Sequence, residues 1–154
     1  RAGYLAAPKA VIKAVSNLTS HIASNPCNIV QYAAIAAFEP DNDTFVACNR
    51  KQLASQRQTA IELLQKIPNL PFVTPDGAFY LFPDVSSLFG KNCKGQPIAD
   101  VDALAEMLLE HAHIAIVPGS AFGSPNHVRI SYAIPTKEIV TGLTAFAKFV
   151  ESLS

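Results

Sequence analysis

The sequence predicts an α/β fold, a small mixed sheet with helices packed against it in two layers. Three observations carry this. Residues Val101, Leu104, Ala105, Leu108 and Leu109 recur at i, i+3, i+4, i+7 and i+8, the apolar stripe of an amphipathic helix. Val128, Ile130 and Tyr132 alternate with Arg129 and Ser131, the period of two of a strand with unlike faces. From residue 44 onward the elements read helix, hairpin, helix, strand, strand, helix, an order that builds a sheet covered by helices.

The elements follow from the N-terminus. Gly3-Tyr4-Leu5-Ala6-Ala7 is a short apolar run that reads as a buried strand, and Pro8 suits the first position of a helix. After Ser24-Asn25-Pro26 a second helix, from Asn28 to Phe38, is apolar nearly all round, as a helix packed on several sides is. Between Gly3 and Phe38 the only ionised side chains are Lys9 and Lys13, so this surface is expected to meet a neighbour. Asp43-Thr44 opens a long polar helix that Pro68 stops near Ile67. Phe72-Val73, the turn Thr74-Pro75-Asp76-Gly77 and the apolar run from Ala78 to Phe82 read as a hairpin. Residues 86–97 read as an exposed loop, and Asp100 as the N-cap of the helix that follows. Ile114 to Val117 is a buried strand ended by Pro118-Gly119, and Val128 to Ala133 is the last strand. The final helix starts at Thr136 and carries Ile139, Val140, Leu143, Phe146, Val150 and Leu153 on one side. Residues 1–40 do not belong to the sheet and read as the tail of another domain, leaving 41–154 as the α/β unit.

Composition excludes several classes of function. The chain has 154 residues, about one domain at roughly 150 residues each, with 49% hydrophobic residues but only 16% charged, against about 25% in an average domain. Twelve basic and twelve acidic side chains cancel, which leaves no footprint for nucleic acid or for an anionic membrane surface. No run is long and apolar enough for a bilayer span, and the opening residues form no signal-peptide pattern. Cys27, Cys48 and Cys93 are widely spaced, without a C-x-x-C pair, so reduced thiols in a cytoplasmic protein are expected, rather than disulfides or structural zinc.

The candidates for chemistry are few. His111 and His113 are two apart at a helix end, where side chains diverge, so a shared metal is not expected, and a helix C-terminus favours histidine in any case. Gly119-Ser120-Ala121-Phe122-Gly123 lacks the G-x-S-x-G spacing of a nucleophile elbow, and no G-x-G-x-x-G or Walker-type loop occurs. Arg129 differs, because it interrupts an apolar strand and its planar fork matches a carboxylate. The competing reading is an arginine on the solvent face of an edge strand.

Four runs in order carry a family resemblance over essentially the whole chain: Arg1 to Pro8 with Ser24-Asn25-Pro26 and Gln31-Tyr32-Ala33-Ala34 after it; Thr74-Pro75-Asp76-Gly77-Ala78-Phe79-Tyr80-Leu81-Phe82; Val117-Pro118-Gly119-Ser120-Ala121-Phe122-Gly123; and Val128-Arg129-Ile130-Ser131-Tyr132-Ala133. Together they resemble the C-terminal part of class I/II aminotransferases, pyridoxal-phosphate enzymes of the aspartate aminotransferase type. The resemblance implies the small C-terminal domain of a fold-type I transferase over 41–154, and over 1–40 the tail of the large cofactor-binding domain with dimer-interface helices.

It also implies a homodimeric, cytoplasmic parent that moves an amino group between an amino acid and a 2-oxo acid with pyridoxal phosphate. By position, Arg129 matches the arginine that grips the substrate α-carboxylate, and Arg1 the arginine that pairs with the cofactor phosphate. Ser24 and Asn25 resemble a segment that in some relatives reaches toward the neighbouring subunit's active site. The lysine that anchors the cofactor lies before the position of Arg1 in that family. None of the eight lysines here matches it, so the chain alone is expected to be inactive. The acidic residue beside the pyridinium nitrogen and the aromatic that stacks on the ring are likewise unmatched. A lyase of the same fold and a non-catalytic assembly module are the alternatives.

Overall fold

Pro8, at φ −53°, immediately precedes α1 (Lys9–Ile22), and Pro26 lies two residues before α2 (Asn28–Ala37). Fixed φ and a missing N–H make proline compatible with a helix start. A computed structural model describes residues 2–154, so Arg1 lies outside the described residues. The chain divides into two compact units, Arg1–Cys48 and Asn49–Ser154.

In the first unit, no residue of α1 or α2 is buried. The expected buried strand at Gly3–Ala7 is not formed: the segment has no regular structure and Tyr4 is 87% exposed, its ring edge-on to Phe38 at 6.5 Å. A strand needs a partner edge for its backbone groups, and the described residues of this unit form only helices and loops. Leu18, Ile22, Ile29, Tyr32 and Ile35 are exposed as well. A short 3₁₀ turn, Pro40–Asn42, leads into α3 (Asp43–Leu64).

The second unit holds the core. Its half of α3 buries Gln56, Ala60, Ile61 and Leu64. The expected hairpin is absent, because Phe72-Val73 stays irregular and β1 is only Tyr80–Leu81, paired with a distant strand. The turn before it takes its positive φ at Ala78 (58°) and not at Gly77. The expected loop at 86–97 has internal order: a 3₁₀ turn at Ser86–Leu88, then β2 (Asn92–Cys93) and β3 (Gln96–Pro97) paired antiparallel, with Leu88 and Cys93 buried. Positive φ at Lys94 (50°) and Gly95 (87°) makes that two-residue reversal possible.

The helix α4 (Val101–Ala112) is capped as its sequence predicts, Asp100 Oδ1 accepting from Ala103 N–H at 2.9 Å. It ends on His113 in the left-handed conformation at φ 55°. The strand read at Ile114 to Val117 shortens to β4 (Val117–Pro118), and β5 spans Val128–Ser131. The three-stranded sheet has the order β1-β5-β4, antiparallel throughout, with Tyr80 opposite Ser131 and Val117 opposite Arg129. On its covered face, Leu81, Val128 and Tyr132 are 0–1% exposed and pack with α4 and α5 (Thr136–Glu151). In α5 the buried stripe is Ile139, Leu143, Phe146, Phe149 and Val150; Val140, expected on that side, is exposed. No described helix is long and apolar enough to cross a membrane.

Candidate functional site

The central strand β5 places Val128 in the core, as Tyr132 just beyond its end is, and turns Arg129 and Ser131 to the other face. Antiparallel pairing puts directly opposed residues on one face, so Tyr80, opposite Ser131, shares the face of Arg129. Arg129 therefore sits on a central strand, not on an edge. Its side chain is half-buried.

A second aromatic ring reaches Arg129 from the far flank. After β4 the chain enters a 3₁₀ turn, Gly119–Phe122, held by Gly119 N–H donating to His127 O at 2.7 Å and Ser124 N–H donating to Gly119 O at 2.9 Å. The approach is so close that a Cβ at position 119 would collide with Ser124 O and lie 2.5 Å from His127 O. Only glycine fits there. The turn closes on Gly123 at φ 74°. This tight reversal carries Phe122 back over β5.

As a result the Arg129 Cζ lies over two rings, 4.5 Å from the centroid of Tyr80 and 4.5 Å from that of Phe122. Each contact contributes about 0.5–1 kcal/mol at an exposed site and more where water is excluded. Phe82 meets Phe122 edge-on at 6.4 Å and stacks on His127 at 4.9 Å, while Phe79 packs against Tyr80 at 4.6 Å. Both rings turn a face toward the guanidinium carbon, and a guanidinium presents its N–H donors in its own plane.

Neighbouring groups are fixed in place. Hydrogen bonds from the Ser86 side chain and backbone N–H, the latter 2.8 Å from Asp84 Oδ1, hold the Asp84 carboxyl below its ordinary value, and His127 adds a favourable charge. Burial pushes the Tyr132 phenol up, and its hydroxyl donates to Ala78 O at 3.1 Å. That bond ties the end of β5 to the residue that turns the chain into β1.

The other sequence candidates fall elsewhere. The ring Nδ1 of His111 lies 3.4 Å from Lys94 Nζ, whereas His113 is the exposed helix cap. Among the described residues no cluster of three or more His, Cys, Asp or Glu could hold a metal. Ser120 Oγ donates to Asp102 Oδ1 at 2.9 Å. Ser24, at φ 59°, and Asn25, whose amide donates to Pro26 O at 3.2 Å, form the turn between α1 and α2. Cys27 and Cys48 are exposed thiols and Cys93 is a buried one. Arg1 lies outside the described residues.

Sequence reasoning singled out Arg129 but not the two rings that flank it. The signals were present: alternation across an antiparallel pair for Tyr80, and a Pro-Gly reversal three residues before Phe122.

Known proteins share this arrangement of chain. The sequence model of the family described as aminotransferase class I and II matches residues 1–146. The aspartate aminotransferase of Streptomyces avermitilis is 41% identical over 150 residues, 97% of this chain and 36% of that protein. The crystal structure of the aspartate aminotransferase from Rhizobium meliloti superposes with a TM-score of 0.84 at 34% identity, covering 96% of this chain and 37% of that one. The aspartate aminotransferase from Thermus thermophilus with maleate gives a TM-score of 0.78 at 33% identity, covering 92% of this chain and 35% of that one. The chain thus spans little more than a third of the length of these relatives.

Proposed function

Because the chain belongs to the class I and II aminotransferase family, we propose that it is the C-terminal part of a pyridoxal-phosphate-dependent aminotransferase acting on an aspartate-like L-amino acid and a 2-oxo acid. The observation that carries this reading is the seating of Arg129: half-buried on a central strand, on the side opposite the core residues, with the faces of Tyr80 and Phe122 each 4.5 Å from its guanidinium carbon. A guanidinium so held binds a carboxylate through two parallel hydrogen bonds. Fixing the carboxylate at two points also fixes the direction of the attached amino group, which is how a positioning residue lowers the barrier to amino transfer.

The described residues do not make a complete cofactor site. Seven of the eight lysines are exposed and Lys91 is half-buried, so none has the desolvated setting that an amine nucleophile needs. Cofactor anchoring is therefore assigned to parts of the protein outside this chain, with Arg1 proposed, from its place in the motif, as a contact of the cofactor phosphate. On this reading the isolated chain is inactive. Residues 1–40 are proposed as the tail of the large domain and as dimer-interface helices, and 41–154 as the small domain. The exposed apolar side chains of α1 and α2 support an interface with a second copy in a homodimer, and a cytoplasmic location is part of the same proposal.

The test is product analysis of the full-length protein with L-aspartate and 2-oxoglutarate. Equal amounts of oxaloacetate and glutamate are expected. Release of ammonia in place of glutamate would assign the fold to elimination chemistry, and absence of turnover would leave an assembly module.

A further inference from the structure

We propose that Tyr80 and Phe122 are specificity-determining residues that make the Arg129 site select planar carboxylates over tetrahedral anions, an inference that rests on the reading of Arg129 as a carboxylate grip. The two rings arrive from opposite flanks of β5, Tyr80 from β1 and Phe122 from the turn that follows β4. Each stands 4.5 Å from the Arg129 Cζ with its face toward the cation. An aromatic face carries negative potential, which attracts the guanidinium and repels an anionic oxygen placed against it. A carboxylate bound edge-on keeps both oxygens in the guanidinium plane, away from the ring faces. A phosphonate or sulfonate cannot do so, because its tetrahedral centre pushes at least one charged oxygen out of that plane and toward a ring.

The rings are held well enough to discriminate. Phe122 is fixed by the Gly119 reversal and by the edge-on contact with Phe82 at 6.4 Å, and Tyr80 by its strand pairing and by Phe79 at 4.6 Å. Yet Phe122 is 49% exposed, so truncating it removes little from the core.

Calorimetric titration of the full-length protein compares L-aspartate with the analogue whose α-carboxylate is replaced by phosphonate. The wild type should favour aspartate, and Phe122→Ala should reduce that preference about tenfold, the scale on which pocket shape separates close analogues. Tyr80→Leu should act in the same direction, and Phe122→Tyr should keep the wild-type preference. The inference is overturned if Phe122→Ala and Tyr80→Leu weaken both ligands in parallel and leave the ratio unchanged, since the rings then only support the arginine. Arg129→Lys separates the two levels. Weakened binding of aspartate upholds the grip whatever the rings do, whereas unchanged binding removes the grip and the ring selectivity together.

Discussion

The ring of Phe122 lies 4.5 Å from the Arg129 guanidinium carbon, although the two residues belong to a 3₁₀ turn and a strand joined through Gly123 and a four-residue loop. What closes that distance is Gly119, whose N–H bonds His127 O at 2.7 Å and whose missing side chain lets the two backbones touch.

Replacing that glycine should therefore damage both fold and site. Gly119→Ala puts a methyl group against two backbone carbonyl oxygens, which cannot give way as a flexible side chain would. A loss of about 1–3 kcal/mol, the usual cost of overpacking, is expected in urea unfolding. Gly77→Ala meets open space at a residue without positive φ and should stay close to the wild type. Equal midpoints for the two variants would show that the Gly119 reversal is not a tight one.

Asp84 should give the fold a specific sensitivity to acid. Its folded pKa lies below the ordinary 3.8 because Ser86 donates to the carboxylate. A depressed carboxylate contributes stability that is fully present above the unfolded value and is lost as pH falls through the folded one. Urea midpoints of the wild type should drop across that acid window more than those of Asp84→Asn. Parallel curves for the two proteins would remove Asp84 from the account.

The isolated chain should associate. Tyr4, Leu18, Ile22, Ile29, Tyr32 and Ile35 are exposed in a stretch whose only charges are Lys9 and Lys13. A surface of that kind seeks cover. Sedimentation velocity should show concentration-dependent species larger than 16.5 kDa, and a single stable monomer over the whole range would count against a buried role for these helices.

Local signals made the helices and the central strand legible, and non-local pairing hid the rest. The Asp100 cap and most of the α4 stripe depend on neighbours three or four residues apart, so sequence reports them directly; Leu109, expected on the stripe, is 57% exposed, and Met107 is buried instead. The hairpin at 72–82 failed because Tyr80–Leu81 finds its partner some fifty residues later, in Ser131 and Ile130. A turn sequence cannot announce that. Gly3–Ala7 looked like a strand because apolar runs are ambiguous without a sheet to join. Arg129 stood out as a charge within an apolar strand, but its aromatic flanks required both the register with β1 and the reversal at Gly119.

Steady-state kinetics of Arg129→Lys in the full-length protein test most directly the proposal that Arg129 grips the substrate carboxylate. An ammonium keeps the charge but loses the planar fork, so KM for the amino acid should rise and kcat/KM should fall by about tenfold to a thousandfold, the worth of a charge-assisted bond pair. Kinetic constants indistinguishable from the wild type would contradict the account.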